Sequence, residues 1–424
     1  MAFTGFAQRL GRNERGGAAM LTAVSAPLLM GAAGLAMDTV QWTVWKRQLQ
    51  RSADSAAIAG AFARAQAKDV TATATADLAK SLDVVPTSRL IQNAPTVGPY
   101  AGNTRAVRVV LGYRKRLPFT SYFLAAAPLL QAEATAAVLS NGEFCVISLE
   151  NTAATGITMQ GSATVDLGCG MASNSVGSAA VSAGGSSSIK ATPIAAVGNI
   201  PASSNYATGT TFQPFAIPQQ DPYAGLPAPV APSTCKNSAL NVQPDNDKKN
   251  PKVIKISPDW NKDGNCWRGM DLKGTVEFAP GVYYINGGTF SIGSQATIIG
   301  DDVTFILTGD SPSTIATLDI NGGAEIKLTA PESGTYKNIL FYQDRRALDS
   351  GDNKINGNAT SKLSGTFYFP SQSVHFSGTS GQETSCVQIV SRRVTFIGNS
   401  SIRNVCKPTE GGEAVKGTIV RLVA

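Results

Sequence analysis

A stretch of 20 residues without a charged side chain, Ala18–Met37, limits what the first part of this chain can become. As a helix at about 1.5 Å per residue it is about 30 Å long, which matches the hydrocarbon thickness of a bilayer. The alternative is a cleaved signal peptide, with Gly34–Ala36 as the small-residue cleavage site. Because the apolar region of a signal peptide is normally shorter, we expect a single membrane-spanning helix.

Basic residues flank this stretch on both sides. Those before it are Arg9, Arg12 and Arg15, and those after it are Lys46, Arg47 and Arg51. The arginines before the stretch lie closer to it, and an excess of Lys and Arg marks the cytoplasmic side of a membrane protein. We therefore expect a cytoplasmic N-terminus, with the bulk of the chain outside the cytoplasm.

The helix is expected to continue beyond the apolar stretch to Lys68, because Asp38–Lys68 has no Pro and is rich in helix-forming residues. Trp42 and Trp45 lie where an interfacial aromatic belt would be. Mostly small residues then recur at spacings of four and three: Leu49, Ala53, Ala56, Gly60, Ala63 and Ala67. This seam allows another helix to approach closely. Packing with other membrane-rooted helices and docking onto the chain's own next domain both remain open.

The first 65 residues or so resemble the N-terminal module of TadE/TadG-like proteins of tight-adherence (Tad, or Flp) pilus systems. The matching positions are Glu14-Arg15-Gly16, Pro27, Gly31, Gly34, Asp38, Trp42, Lys46-Arg47, Leu49-Gln50, Ala53-Asp54 and Ala56–Ala61. The resemblance implies a single-pass protein of the bacterial inner membrane whose helix contacts other Tad components. Processed pilin-like relatives carry Glu five residues after the cleavage glycine. In this sequence the residue five positions after Gly17 is Thr22. Cleavage, and incorporation into the pilus as a minor pilin, are therefore left open.

Residues 71–144 are expected to form a small α+β domain after the helix, which occupies residues 1–70. Val107–Arg116 and Gln131–Leu139 have β-like patterns, and Phe119–Ala127 is expected to be a short helix. The basic cluster Arg114–Arg116 is a candidate contact for anionic headgroups or surface polysaccharide. We favour a solvated strand edge, on which charges prevent aggregation.

Residues 145–424 contain short apolar runs separated by Gly, Asn, Asp and Ser, a pattern that predicts short strands. Ile-Asn-Gly recurs at Ile285, Ile320 and Ile355, an interval of 35 residues, and Gly378 and Gly398 end similar strands 20 residues apart. Such quasi-repeats favour a parallel β-helix or solenoid-like stack. A β-sandwich is the alternative. The expected fold class is thus α+β and mostly β, with a long transmembrane helix, a small head and a β stack.

A Pro-rich excursion interrupts the β region at residues 192–257 and is expected to pack on it through its aromatic residues. The β region resembles the C-terminal part of TadG-like and related envelope proteins in these residues: Cys145, Gly161-Ser162-Ala163, Gly168-Cys169-Gly170, Asn174-Ser175, Pro280–Gly288, Ile339–Asp344 and Cys386. The resemblance implies a role in pilus assembly or surface adhesion. The D-x-S-x-S metal site that many relatives carry in a von Willebrand A domain is absent from the sequence, so metal-dependent adhesion is not expected.

Six cysteines, none in a C-x-x-C motif, indicate disulfides in an oxidising compartment. Of 15 possible connectivities, pairing between sequence neighbours gives Cys145–Cys169, Cys235–Cys266 and Cys386–Cys406.

One short motif matches part of a calcium loop. Asp259, Asn261 and Asp263 alternate before Gly264, but Met270 stands where the bidentate Glu is required. We favour a charged turn over a calcium site, and we expect no other cofactor.

Enzymatic chemistry has little support in the sequence. The single histidine, His375, has neighbours Ser373 and Ser377 but no nucleophile elbow. The candidate acidic and basic groups for polysaccharide cleavage are Asp301, Asp302, Asp344, Arg345, Arg346, Asp349 and Asp352, which we interpret as exposed turn residues. The net charge of +7 is dispersed, so nucleic acid is not an expected partner. The alternative function is an envelope-anchored protein that binds or cleaves carbohydrate.

Overall fold

The computed structural model describes residues 14–81, 84–166, 168–247, 252–259, 264–357, 361–378, 382–384, 386–398, 401–404 and 415–424. They divide into two compact units, one reaching to Leu139 and including Val420–Ala424, the other Ser140–Ile419. The helix and the small α+β region, expected as separate parts, belong to the same unit. The expected fold class is confirmed: a long apolar helix precedes a mostly β chain with a large parallel sheet.

Two helices and three antiparallel strands build the first unit. They are α1 (Glu14–Ala65), α2 (Val70–Ser81), β1 (Ser88–Gln92), β2 (Ala106–Tyr113) and the first part of β3 (Leu130–Ser148). Asp69 caps α2, because its carboxylate accepts the backbone N–H of Ala72 at 2.9 Å.

Two predictions for this unit need correction. The expected helix Phe119–Ala127 is only a 3₁₀ turn, Thr120–Tyr122, in a segment punctuated by Pro118 and Pro128. Strand β2 ends at Tyr113, so the basic cluster Arg114–Arg116 lies in the connection after the strand and not on a strand edge.

The second unit is built almost entirely from short strands. They are the end of β3, β4 (Ile157–Met159), β5 (Thr164–Asp166), β6 (Gly170–Ser173), β7 (Val181–Ala183), β8 (Ser188–Lys190), β9 (Ile194–Ala196), β10 (Phe212–Gln213), β11 (Leu240–Val242), β12 (Val253–Ile256), β13 (Cys266–Trp267), β14 (Met270–Leu272), β15 (Thr275–Phe278), β16 (Gly281–Asn286), β17 (Thr289–Ile292), β18 (Thr297–Gly300), β19 (Val303–Thr308), β20 (Thr317–Ile320), β21 (Glu325–Thr329), β22 (Ile339–Gln343), β23 (Asp352–Gly357), β24 (Lys362–Gly378), β25 (Gln382–Thr384), β26 (Cys386–Ile397), β27 (Ser401–Asn404) and β28 (Val415–Leu422), the last of which continues into the first unit.

The end of β3 and strands β4–β27 pair in parallel, and from β11 to β22 each strand pairs with the third strand after it or with a part of the long strand β24. One ladder runs β11, β14, β17, β20, β23, the end of β24, the end of β26, β4 and β7. The ladder through β13, β16, β19 and β22 continues in the middle of β24, then β26, β3, β6 and β9. A remaining ladder contains β12, β15, β18 and β21, and β25, β27, β5 and β8 pair as a smaller sheet. Parallel pairing differs from the antiparallel pairing of the β-sandwich alternative.

The ladders show which sequence repeats are structural. Ile320 pairs with Ile355, and Phe376 pairs with Phe396, so the 35- and 20-residue intervals there are true steps of a ladder. Ile285 instead pairs with Leu307 and does not share a ladder step with Ile320. The repeat is irregular because the connections between strands differ in length from step to step.

The chain enters the ladders in their middle. Strands β3 to β10 lie at one end, and the chain then passes through residues 214–239 to β11 at the other end. From there it returns to β26, where Ile389 pairs with Val146 and Val394 with Ile157. Early and late segments of the unit therefore complete each other's hydrogen bonding.

Residues 214–239, which we call the covering segment, explain the burial of both faces of several strands. All residues of β19 and β22 are buried. Inward side chains form a core with a row of aromatic rings, in which Phe305, Phe341 and Phe367 follow one another with centroids 5.6 and 5.2 Å apart. A second cluster on the outer side contains Tyr342 and Tyr368 and is packed by residues of the covering segment.

Candidate functional site

The start of α1 has an apolar surface that the chain does not cover. Met20, Leu21, Val24, Leu28 and Met30 are exposed, Met20 by 70 %. Within the described residues, one helix, Met20–Ala65, is long and apolar enough to cross a membrane. Its packed half begins only at Gly34 and Asp38. Most of the uncharged stretch therefore exposes its apolar side chains, because no other described part of the chain packs on it.

A polar contact fixes the end of this apolar part to the first unit. The Asp38 carboxylate is buried, and Oδ2 accepts the backbone N–H of Thr120 at 2.7 Å and the Thr120 hydroxyl at 2.9 Å. One turn earlier, the Phe119 ring lies so close to Gly34 that an added Cβ would be 2.1 Å from Cδ1. Two satisfied hydrogen bonds allow a buried carboxylate at this position.

The small-residue seam packs within the first unit. Leu49, Ala53, Ala56 and Ala63 are buried in a cluster with residues of α2, β2 and β3. At Gly60 a Cβ would lie 2.9 Å from the Val107 Cγ1 atom, so a glycine permits this approach. The arrangement corresponds to docking onto the chain's own next domain, one of the two interpretations left open.

The last predicted seam residue does not take part. Ala67 is exposed and has φ +55°, because α1 ends at Ala65. The left-handed backbone at Ala67 directs the chain into the short connection before α2.

Two pairs of neighbouring cysteines form disulfides. Cys145 is bonded to Cys169, and Cys235 to Cys266. Cys386 begins β26, but its side chain and the whole of Cys406 lie outside the described residues, so that pairing stays a prediction. The two bonds close loops of 24 and 31 residues in the second unit.

The proposed calcium ligands are only partly visible. Asn261 and Asp263 lie outside the described residues, and Asp259 is described and half-buried. Met270, at the position of the missing Glu, is buried in the core. No group of three or more His, Cys, Asp or Glu that could hold a metal ion occurs in the part of the chain that the structure describes.

The acidic residues considered for catalysis are separated by their partners. Asp344 is fully buried and accepts Arg346 Nη2 and Thr308 Oγ1 at 2.6 and 2.9 Å, so its interpretation as an exposed turn residue is wrong. Burial would raise the pKa of Asp344, but the hydrogen bonds from Arg346 and Thr308 outweigh it and the pKa is lowered. The hydrophobic residues around Asp344 in the sequence could have signalled its burial.

The other catalytic candidates are engaged elsewhere. Asp352 lies 3.4 Å from His375 Nε2, and the Ser373 hydroxyl accepts Arg393 and not the histidine. The Asp301 carboxylate accepts the hydroxyl of Thr329. No pair of these groups forms a nucleophile–base contact in the described residues.

A buried ion-pair network, not predicted from the sequence, surrounds Glu150. Glu150, fully buried, accepts Arg393 Nη1 at 2.6 Å and Arg392 Nε at 3.0 Å, and both arginines also contact Asp349. Desolvation would raise the pKa of Glu150, but the hydrogen bonds from Thr152 and the two arginines lower it to about 2. The partners are 242 and 243 residues apart in sequence, so no local signal revealed them.

A polar cleft of about 580 Å³ lies between the covering segment and the ladders of the second unit. Asp310, exposed at its rim, accepts Asn286 Nδ2 at 3.0 Å and Arg268 Nη2 at 2.6 Å. These hydrogen bonds lower the pKa of Asp310, and the one from Asn286 has the larger effect. Arg346 also lines the cleft, whereas none of the described lining residues is aromatic. The cleft can offer oriented donors and one carboxylate to a polar ligand.

The fold and these surfaces define a class: a β-rich protein behind one apolar N-terminal helix, with disulfides and no assembled catalytic group in the described residues. Comparison with known proteins gives a family match for the region of the helix. The family model described as "Putative Flp pilus-assembly TadE/G-like" matches residues 16–67. This part of the chain is therefore TadE/G-like, as its motifs predicted. No curated protein and no solved structure matches the chain.

Proposed function

We propose that this protein is a membrane-anchored component of a Tad (Flp) pilus system, with its β-rich unit outside the cytoplasm. The observation that carries the proposal is a coincidence of two features. The TadE/G-like match, residues 16–67, contains the uncovered apolar half of α1 and the start of its packed half. We place the N-terminus in the cytoplasm because arginines precede the uncharged stretch, and Lys and Arg are enriched on the cytoplasmic side of membrane proteins.

The β-rich unit serves assembly or adhesion in this proposal and is not an enzyme. We infer that it is a parallel β-helix, because parallel pairing of every third strand is the pattern of a three-sided coil. The two disulfides fit an oxidising compartment. The separate partners of Asp344, Asp349 and Asp352 favour a structural role for these carboxylates.

Fractionation of cells that carry the full chain tests this proposal. We expect the protein in the inner membrane, resistant to alkaline carbonate, with the β-rich unit accessible to protease added from outside the cytoplasm. The mass of the N-terminal peptide, from membranes and from sheared pili, separates a permanent anchor from a minor pilin. A soluble periplasmic chain that begins near Met37 would overturn the anchor and support a cleaved signal peptide.

Carbohydrate binding is the second candidate, and the polar cleft favours it. Asp310 is held in one orientation by Arg268 and Asn286 while its side chain stays 57 % exposed, as a hydrogen-bonding site for sugar hydroxyls requires. Cleavage is disfavoured because glycoside hydrolysis uses two carboxylates, and Asp344 is already engaged by Arg346.

Binding of purified surface polysaccharide to the full chain tests this second candidate. D310A is expected to weaken binding, and D319A, which removes an exposed carboxylate from β20 outside the cleft, is the matched control. Equal binding by both variants and the parent would reject the cleft as the carbohydrate site.

A further inference from the structure

The connection between β2 and β3, residues 114–129, exposes a group of large apolar side chains. Tyr122 is 87 % and Phe123 71 % exposed, and Phe119, Leu124 and Leu129 are also exposed. Single exposed apolar residues are ordinary, but five in one short connection form a patch that usually marks an interaction surface. We call residues 117–129 the apolar loop.

The apolar loop is fixed beside the end of the proposed membrane span. Phe119 packs on Gly34, and Asp38 accepts both hydrogen bonds from Thr120. Gly34 and Asp38 are one helical turn apart, so both contacts lie on one face of α1. Since Gly34 precedes Met37 by three residues, the Phe119 ring lies about 4.5 Å inside the end of the uncharged stretch.

The same connection begins with three basic residues, of which Lys115 lies beside a later part of α1 and Arg116 donates to the Ala125 carbonyl at 2.8 Å. Arg114, Lys115 and Arg116 are exposed. Lys115 Nζ is 5.6 Å from the centroid of Trp45, seven residues beyond Asp38, and Trp45 packs edge-on against Tyr113. Along the helix axis the order is therefore Lys115, then the Asp38–Thr120 contact, then the Phe119 ring.

This order matches the depth profile of a membrane surface. Phosphate headgroups attract Lys and Arg, and aromatic side chains prefer the boundary below them. A water-facing loop would leave Tyr122 and Phe123 exposed without compensation, whereas insertion beside the helix buries them in the same bilayer.

We propose that the apolar loop is a second membrane contact, which inserts Tyr122 and Phe123 into the outer interface of the bilayer while Arg114–Arg116 bind anionic headgroups. This inference rests on the proposed function, because it requires α1 to span the membrane. The partner of the apolar loop in this proposal is the lipid bilayer. A protein partner at this loop is an outcome of the test that would contradict the proposal.

Fluorescence of the full chain in lipid nanodiscs tests it. F123W places a reporter on the apolar loop, and V97W places one on another exposed position of the same unit. Both variants keep the four native tryptophans. The emission spectrum of the parent is therefore subtracted from that of each variant. We expect the F123W difference emission to be blue-shifted and quenched by lipids brominated in the upper acyl chain. The V97W difference emission is expected to be quenched by aqueous iodide and not by these lipids.

The outcomes distinguish this inference from the anchor itself. If carbonate leaves the protein in the membrane and F123W behaves like V97W, the loop faces water or protein, and the inference fails while the anchor stands. If carbonate extracts the protein, the proposed span fails first. Equal quenching of F123W in nanodiscs with and without anionic lipid would reject the role of Arg114–Arg116 in headgroup binding.

Discussion

Glu150 illustrates how single residues in this protein depend on distant parts of the chain. It follows β3, yet both of its arginine partners belong to β26, 242 and 243 residues later in the sequence. Removing one partner of a buried ion pair leaves the other charge buried without compensation. Its loss therefore costs more stability than the loss of one partner of an exposed pair. The network joins the two segments that also share the ladder from β26 to β3.

Stability is expected to depend on pH through Glu150. Its ordinary pKa of 4.5 is lowered to about 2 in the folded state, so the charged form is bound more strongly after folding. The contribution, on the order of 3 kcal/mol, is complete above pH 4.5 and is lost as the pH falls toward 2. We expect E150Q to be destabilised near pH 7, with the difference from the parent shrinking below pH 4.5 in denaturant unfolding curves.

The control for this prediction is E277Q. Glu277 forms an exposed pair with Lys255, for which a loss near zero to 1 kcal/mol is typical. A difference between E150Q and the parent that stays constant from pH 7 to pH 2 would contradict the assigned pKa.

At the scale of elements, α1 has two halves with different surroundings. The first is apolar and bare, and the second packs its small residues on the first unit. Sequence alone predicted the helix, its length and the seam, because spacing and charge are local properties. It did not decide what the seam contacts, because small residues permit any close partner.

Gly60 provides a test of the seam. G60V is expected to destabilise the first unit by about 1–3 kcal/mol, because the added side chain meets Val107 and Val70. The matched control is G31V in the same helix, where an added Cβ meets nothing within 4 Å. Thermal unfolding in detergent and limited proteolysis would report the difference. Unchanged stability of G60V together with lost pilus assembly would instead favour packing with other helices.

The covering segment is a second element whose role was only partly predictable. Its aromatic residues were expected to pack on the β region, and Tyr223 does, through a hydrogen bond of 2.8 Å with Thr366. Phe212, just before it, and Phe215 remain exposed. Composition predicts that a segment packs, whereas the side chains that make contact depend on the surface it crosses.

Arg345 holds this segment in place. Its guanidinium donates to the backbone carbonyls of Tyr223 and Ala224 at 2.9 and 2.8 Å. R345A is expected to cost about 2 kcal/mol and to speed proteolytic cleavage within residues 214–239. R268A, which breaks an exposed ion pair outside the segment, is the control and should cost less than about 1 kcal/mol. Equal protease resistance of R345A and the parent would show that the other contacts of the segment, among them the Cys235–Cys266 disulfide, hold it without Arg345.

At the scale of the whole molecule, chain order and spatial order differ in the second unit. Short apolar strands were predicted in this region, and Thr289–Ile292 and Val303–Thr308 are examples, because apolar runs between Gly and Asn are local signals. The pairing of Val146 with Ile389 was not predictable, since no repeat in sequence marks it. In a stack each step is stabilised by its neighbours, so the late strands of the chain protect the early ones.

Phe396 tests this mutual dependence. It is buried in β26, pairs with Met159 of β4 on one side, and stacks on Phe376 of β24 on the other, with ring centroids 5.6 Å apart. F396A removes a large core side chain and is expected to cost about 3–5 kcal/mol, whereas the exposed control F212A should cost far less. Because both neighbours lose a contact, hydrogen–deuterium exchange should rise in residues 157–183 as well as in 352–378. A rise confined to the late strands would mean that the early segment is stable by itself, and that the meeting of chain segments at β26 contributes little to its folding.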